Sequence, residues 1–304
     1  MSSAAHNPAA RTHHRYATVD GHRLFYREAG PPDAPVVVLL HGFPASSFMF
    51  RDLIPRLADQ FHVVAPDLLG FGLSDAPPAD RFTYTFDSLT DVTAGLLDQL
   101  GISRYAIYVQ DYGAPIGWRL ALRDRSAVTA VVSQSGNAYE EGFQPQFFST
   151  VRAFWEKETP ETEAGVRQAL TLDLTRWQYL AGVVDESLVD PVTWMHDHAL
   201  LSRPGNDLVQ IALFRDYATN PALYPEVHRW FRESQVPLLA VWGRGDPVFG
   251  PDGARAFTTD LPHAQVHLLD GGHFLLESAL DDAAPLIRDF LTTQAGHLDL
   301  STST

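Results

Sequence analysis

Three residues of this 304-residue chain stand where strand-like runs give way to turns, and their types suit nucleophilic chemistry. Val109-Gln110-Asp111-Tyr112-Gly113 sets an aspartate between the run YAIYVQ (105–110) and a helix-like stretch opened by Gly113 and Ala114. A sharp strand-to-helix turn of this form lifts one side chain above the sheet edge, at a helix amino end whose free N–H groups favour an anion. An aspartate there also reads as an ordinary helix cap, so the motif alone decides nothing. Val241-Trp242-Gly243-Arg244-Gly245-Asp246-Pro247 puts a second acid just after a strand-like run, and Gly271-Gly272-His273-Phe274 puts a histidine after the next. Separately these read as a turn aspartate and a structural histidine. Together, in the order nucleophile, acid, histidine, they form one constellation.

A fourth element follows the run VVVLL (36–40): His41-Gly42-Phe43-Pro44. A loop N–H here and the N–H after the nucleophile can form an oxyanion hole, which makes the backbones of Phe43 and Tyr112 the expected donors. By itself the segment reads as a Gly-Pro turn. The glycine-rich Asp67-Leu68-Leu69-Gly70-Phe71-Gly72-Leu73-Ser74-Asp75 lacks the basic residues and helix start of a phosphate loop and reads as scaffold.

These corners need strands to carry them. YATVDGHRLFYREAG reads as two strands joined at Asp20-Gly21; VVVLL, FHVVAP, YAIYVQ, VTAVVS, VPLLAVWG and AQVHLL follow, most separated by helical stretches such as RDLIPRLADQ and FDSLTDVTAGLLDQL. This alternation predicts an α/β core, a mainly parallel sheet covered on both faces, with an antiparallel start. Between 135 and 233 it stops, and the chain becomes helical, aromatic and punctuated by Pro145, Pro160, Pro191, Pro204 and Pro221. The expected organisation is a mobile tail over 1–15, a core over 16–134 and 234–295, an insertion roofing it over 135–233, and a loose tail over 296–304.

Hydrophobic residues at 45% and charged residues at 19% are enough for a sizeable core. A formal charge of -15 repels phosphate backbones and anionic lipid, which argues against nucleic acid and membranes as partners. The absence of cysteine excludes disulfides, thiolate zinc sites and a cysteine nucleophile. MSSAAHNPAARTHHR has no apolar stretch, and APVVVLL is too short to span a bilayer, so a soluble, cytoplasmic protein is expected. His196-Asp197-His198 resembles a metal motif only superficially: histidines two apart on a helix face different ways, and an exposed face is expected. His6, His13 and His14 fall in the expected tail, and no metal or cofactor is predicted.

Taken together, HGFP, DLLGFGLSD, VQDYG, WGRGDPVF and GGHF resemble the α/β-hydrolase superfamily, in the aspartate-nucleophile branch that holds epoxide hydrolases and haloalkane dehalogenases. The resemblance runs from about Val19 to Leu291. It implies the α/β-hydrolase fold, a mostly parallel eight-stranded sheet with helices on both faces and a helical lid over 135–233. It also implies Asp111 as nucleophile, His273 as base and Asp246 as its partner. A carboxylate attacking a saturated carbon leaves an ester that water can cleave, whereas serine would leave an ether. The implied substrate is a small, largely apolar organic molecule with an electrophilic sp³ carbon, and water is the co-substrate.

Epoxides and carbon–halogen bonds both fit, and what steadies the leaving atom separates them. Haloalkane dehalogenases resemble one another in having tryptophan after the nucleophile and often asparagine after His-Gly; here Tyr112 and Phe43 stand there. Epoxide hydrolases resemble this chain in HGFP and donate protons from lid tyrosines. Tyr217 falls where that family keeps one, and Tyr179 and Tyr139 are candidates for the second. Lid packing is the alternative role for Tyr217. Trp155, Trp177 and Trp194 offer indole donors that keep dehalogenation as the second reading. The arginine pair of fluoroacetate-type dehalogenases is replaced by Tyr112 and Pro115, which disfavours small anionic substrates. A binding protein without turnover is the third reading, against which the intact Asp-Asp-His set speaks.

Overall fold

The computed structural model describes residues 11–301, with side chains to 296. Asp20 and Gly21 both take left-handed backbone, φ 49° and 83°, as a two-residue type I′ turn demands. His13–Val19 (β1) therefore folds back on His22–Ala29 (β2), with Val19 opposite His22. Val36–Leu40 (β3), His62–Pro66 (β4), Tyr105–Val109 (β5), Val128–Ser133 (β6), Leu238–Gly243 (β7) and Gln265–Leu269 (β8) complete one sheet. Its order is β1-β2-β4-β3-β5-β6-β7-β8, antiparallel at the first two pairings and parallel beyond. The chain steps from β3 outward to β4 and then back across to β5. Strand order thus reverses beside β3, and the crevice beyond the carboxyl ends of β3 and β5 is where such a sheet offers a site.

Ile54–Leu57 (α1), Phe86–Gln99 (α2) and Gly113–Arg123 (α3) lie in the first connections. Between β6 and β7 come Pro145–Glu156 (α4), Pro160–Arg167 (α5), Leu172–Leu180 (α6), Val192–Leu201 (α7), Asn206–Asp216 (α8) and Thr219–Ser234 (α9). Pro251–Asp260 (α10), Leu275–Ser278 (α11) and Leu280–Ser301 (α12) follow. Prolines open α4 and α5, where a missing N–H costs nothing, and a Thr159–Thr162 capping box starts the latter.

The period of two along β3 divides its side chains between the faces. Val38 and Leu40 join Leu89, Trp118 and Phe257 on one side, while Val37 and Leu39 join Ile54, Leu275 and Ile287 on the other. Each such aliphatic side chain contributes about 1.5–3 kcal/mol when fully buried, and this is what holds the two site-bearing strand ends in register. No described helix is long and apolar enough to cross a membrane.

Two expectations about the ends need correction. The tail expected over 1–15 lies outside the described residues up to 10, but from His13 the backbone is the edge strand β1, held by its ladder to β2. His14, expected in that tail, pairs with Arg27 instead (2.8 Å). At the other end α12 continues to Ser301 through most of the stretch expected to be loose, since no proline interrupts it there.

Candidate active site

Asp111 joins β5 to α3 with φ 47°, a left-handed conformation that aspartate tolerates better than most residues. Two glycines permit the approach of the β3 loop. A Cβ on Gly113 would lie 2.1 Å from the Leu40 carbonyl oxygen, and one on Gly42 would lie 2.3 Å from the Asp111 Cβ. With neither present, Oδ1 of Asp111 accepts from the N–H groups of Phe43 (2.7 Å) and Tyr112 (2.6 Å). Burial pushes the Asp111 carboxyl up to about 6, opposed by His273 and by those two amides. The second oxygen, Oδ2, remains available and faces His273 Nε2 at 3.8 Å.

His273 is fully buried, and its Nδ1 lies 3.1 and 3.2 Å from the two Asp246 carboxylate oxygens. Burial lowers the imidazole pKa, but the carboxylates of Asp246 and Asp111 outweigh it, and the net shift is upward. Asp246 is itself held by the N–H groups of Val248 and Phe249 and by the Ser135 hydroxyl (2.6 Å). Gln134 donates to the His273 carbonyl (2.7 Å), and the Gln110 amide meets Nε2 at 2.9 Å. With Nδ1 protonated toward Asp246, Nε2 accepts from that amide. Ser135, Gln134 and Gln110 are functional neighbours that the sequence does not reveal; as common polar types beside strand ends, they leave no local signature.

A small cavity stands over Asp111. Its wall includes Phe43, Tyr112, Tyr217, Gln178 and Phe249. Tyr217, at the end of α8, is brought to the carboxylate. Burial raises its phenol well above 10, so it stays protonated, with Tyr224, Asp111 and Tyr112 acting in the same direction.

The other aromatic candidates are not brought there. Tyr179 donates to Asp197 and stacks on Phe274 (3.9 Å between centroids) on the far layer. Tyr139 donates to Asp260 (2.9 Å) and stacks on His228. Trp155 spends its indole N–H on the Phe214 carbonyl (2.8 Å) and lies parallel to the Tyr217 ring, so it backs that residue. Trp194 sits beside Tyr179 and Arg176. The polar group that does share the cavity is Gln178: it is 1% exposed, and its Nε2 has no partner among the described residues.

His196-Asp197-His198 also needs correction. Asp197 is buried and bonded to Tyr179 and His196 (2.9 Å to the latter), because α7 turns that face inward onto α6. Asp67 accepts from the N–H groups of Ser47 and Leu73 (2.8 and 2.7 Å), bonds that knit the glycine-rich loop to the segment after β3.

The profile of the alpha/beta hydrolase fold family matches residues 35–280. The chain belongs to that family. This α/β-fold hydrolase is 42% identical over 269 residues to an uncharacterized hydrolase of Saccharomyces cerevisiae, spanning 87% of this chain and 92% of that one. It is 31% identical over 278 residues to haloalkane dehalogenase 2 of Mycobacterium tuberculosis, spanning 87% and 90%. Among solved structures it resembles epoxide hydrolase A of Mycobacterium thermoresistibile, with a TM-score of 0.71 over 93% of this chain and 98% of that one at 24% identity, a likeness of fold alone.

Proposed function

We propose that this hydrolase opens epoxides to diols through an ester on Asp111. The observation that carries the reading is that a phenol, Tyr217, shares the cavity with Asp111, while no tryptophan among the described residues lines that cavity. A departing halide needs hydrogen-bond donors, whereas an opening epoxide needs a proton for its oxygen. The dehalogenase named among the relatives keeps the second reading in view, but the side chains of Phe43 and Tyr112 offer no amide or indole N–H here.

In this scheme Oδ2 attacks a ring carbon, the C–O bond breaks and Tyr217 protonates the oxygen, with the Gln178 amide as a second donor. The helical segment over 135–233 acts as the lid that supplies both. Nε2 of His273, once released by the Gln110 amide, then takes a proton from water as it adds to Cγ, and the oxyanion forms on Oδ1, already between the Phe43 and Tyr112 amides. Collapse breaks the bond from Cγ to the alkyl oxygen, which takes the proton from His273. The proton left on the regenerated carboxyl group returns to the Tyr217 phenolate.

Tyr217→Phe is expected to slow ester formation by about ten-fold to a thousand-fold with little change in stability. Single-turnover kinetics on styrene oxide measures it. Unchanged ester formation, or bromide release from a bromoalkane outpacing diol formation from every epoxide tried, moves the assignment to dehalogenation.

The pH dependence has a definite sign. Attack needs ionised Asp111, so ester formation should fall as pH drops through about 6. Hydrolysis needs neutral His273, whose pKa is raised, so it should also fail on the acid side. Once the ester forms, the Asp111 charge that helped raise His273 is gone, and the hydrolysis step should titrate lower than His273 does in free enzyme. Rapid-quench measurement of each step against pH checks this; a step that instead accelerates with acid contradicts the assigned roles.

A further inference from the structure

Two chambers adjoin beside the helical segment over 135–233. The inner one, with Asp111, Tyr217 and Gln178 in its wall, leaves only about 20 Å³ for the centre of a water-sized molecule, room for one or two waters. The outer one, a cleft among α4, α5, α6 and α8, leaves about 410 Å³. Phe147, Val151 and Phe214 line both. A cavity of about 150 Å³ already accepts benzene, so the outer cleft holds a ring or branched chain that the inner one refuses.

The chemistry of the outer wall limits its occupant. Val166, Leu174 and Trp177 supply apolar surface, and no charged side chain among the described residues lines it. A carboxylate entering there would lose its water without gaining a cation. Thr150 and Gln146 stand exposed at the rim. Phe147 is the partly exposed member of the shared wall, parallel to Trp177 (6.4 Å, 4° between planes) and edge-on to Phe148.

We propose that the outer cleft is a binding subsite for an uncharged aryl or branched alkyl substituent of the substrate, and that Phe147 is the partition that turns aside to pass the reactive carbon to Asp111. The identity of the reactive group rests on the epoxide reading above; the subsite does not.

Two variants with opposite expected effects test it. Thr150→Trp fills the mouth and should lower the ratio of kcat/KM for styrene oxide to that for propylene oxide by about ten-fold or more. Phe147→Ala opens the partition and should raise that ratio. A ratio that stays at the wild-type value in both variants overturns the proposal.

Calorimetry with 1-phenylethane-1,2-diol reads the subsite without turnover. Affinity should fall about ten-fold in Thr150→Trp, and 4-(1,2-dihydroxyethyl)benzoate, which carries a carboxylate on the ring that the outer cleft would receive, should bind wild type more weakly than the diol. Equal diol affinity in both proteins, no detectable diol binding to wild type, or a preference for the ring carboxylate sinks the subsite. Diol binding that depends on position 150, in a protein that opens no epoxide, leaves the subsite standing and removes the epoxide reading instead.

Discussion

Asp111→Asn should lower turnover by about 10⁴ to 10⁶, the scale on which an enzyme loses its nucleophile, while circular dichroism stays that of the wild type. Asparagine is the right replacement because it keeps the shape of the side chain and, like aspartate, accepts a left-handed backbone, here φ 47°. Alanine would add strain to the chemical change. The raised pKa carries a further consequence. A carboxyl group whose folded pKa lies above its unfolded value destabilises the fold at pH values above both. The neutral amide removes that penalty, so the melting temperature should equal or exceed that of the wild type, a separation of activity from stability common at sites of this kind. Intact mass before and after assay guards against hydrolysis of the new amide back to aspartate. Wild-type turnover in a folded variant of confirmed mass would sink the assignment of Asp111.

His273→Gln should divide the reaction in two. Ester formation calls only on Asp111 and the proton donor, whereas its hydrolysis calls on the base, whose loss slows that step by about 10² to 10⁴. The enzyme should therefore accumulate a covalent adduct, read as the wild-type polypeptide mass, corrected for the substitution, plus one substrate. Glutamine can still bond to Asp246 and fill much of the space that the imidazole vacates. If no adduct forms with an epoxide that the wild type turns over, the covalent route is wrong. If neither protein turns over or binds covalently any epoxide or haloalkane, a receptor built on the hydrolase fold becomes the better account.

What was legible in the sequence follows the range of the forces involved. Runs such as VVVLL and YAIYVQ announce buried strands through composition and punctuation alone, and the corners after them locate Asp111, Asp246 and His273 without reference to any partner. The structure brings those three side chains together, along with the Phe43 and Tyr112 amides, because parallel strands put successive ends on one edge. Which face a helix in 135–233 turns toward that edge is set by packing among helices distant in sequence. Tyr179 and Tyr139, candidates by residue type alone, therefore donate to Asp197 and Asp260 instead, while Gln178, one residue before Tyr179, faces the cavity. Asp197 is buried for the same reason. The start of strand β1 leaves no signal of its own because residues 13–15 are ordered by a ladder to β2.

The two amides that grip Oδ1 give the carboxylate a permanent inner oxygen and an expendable outer one. In the proposed scheme the diol leaves with the oxygen that attacked, and water supplies its replacement, so the side chain is a reagent rebuilt on every cycle. If the grip never loosens, repeated turnover in ¹⁸O-water loads Asp111 with a single heavy oxygen, however many cycles pass. A second label would mean that the carboxylate turns over in its cradle between cycles, and its rate of appearance would time that rotation.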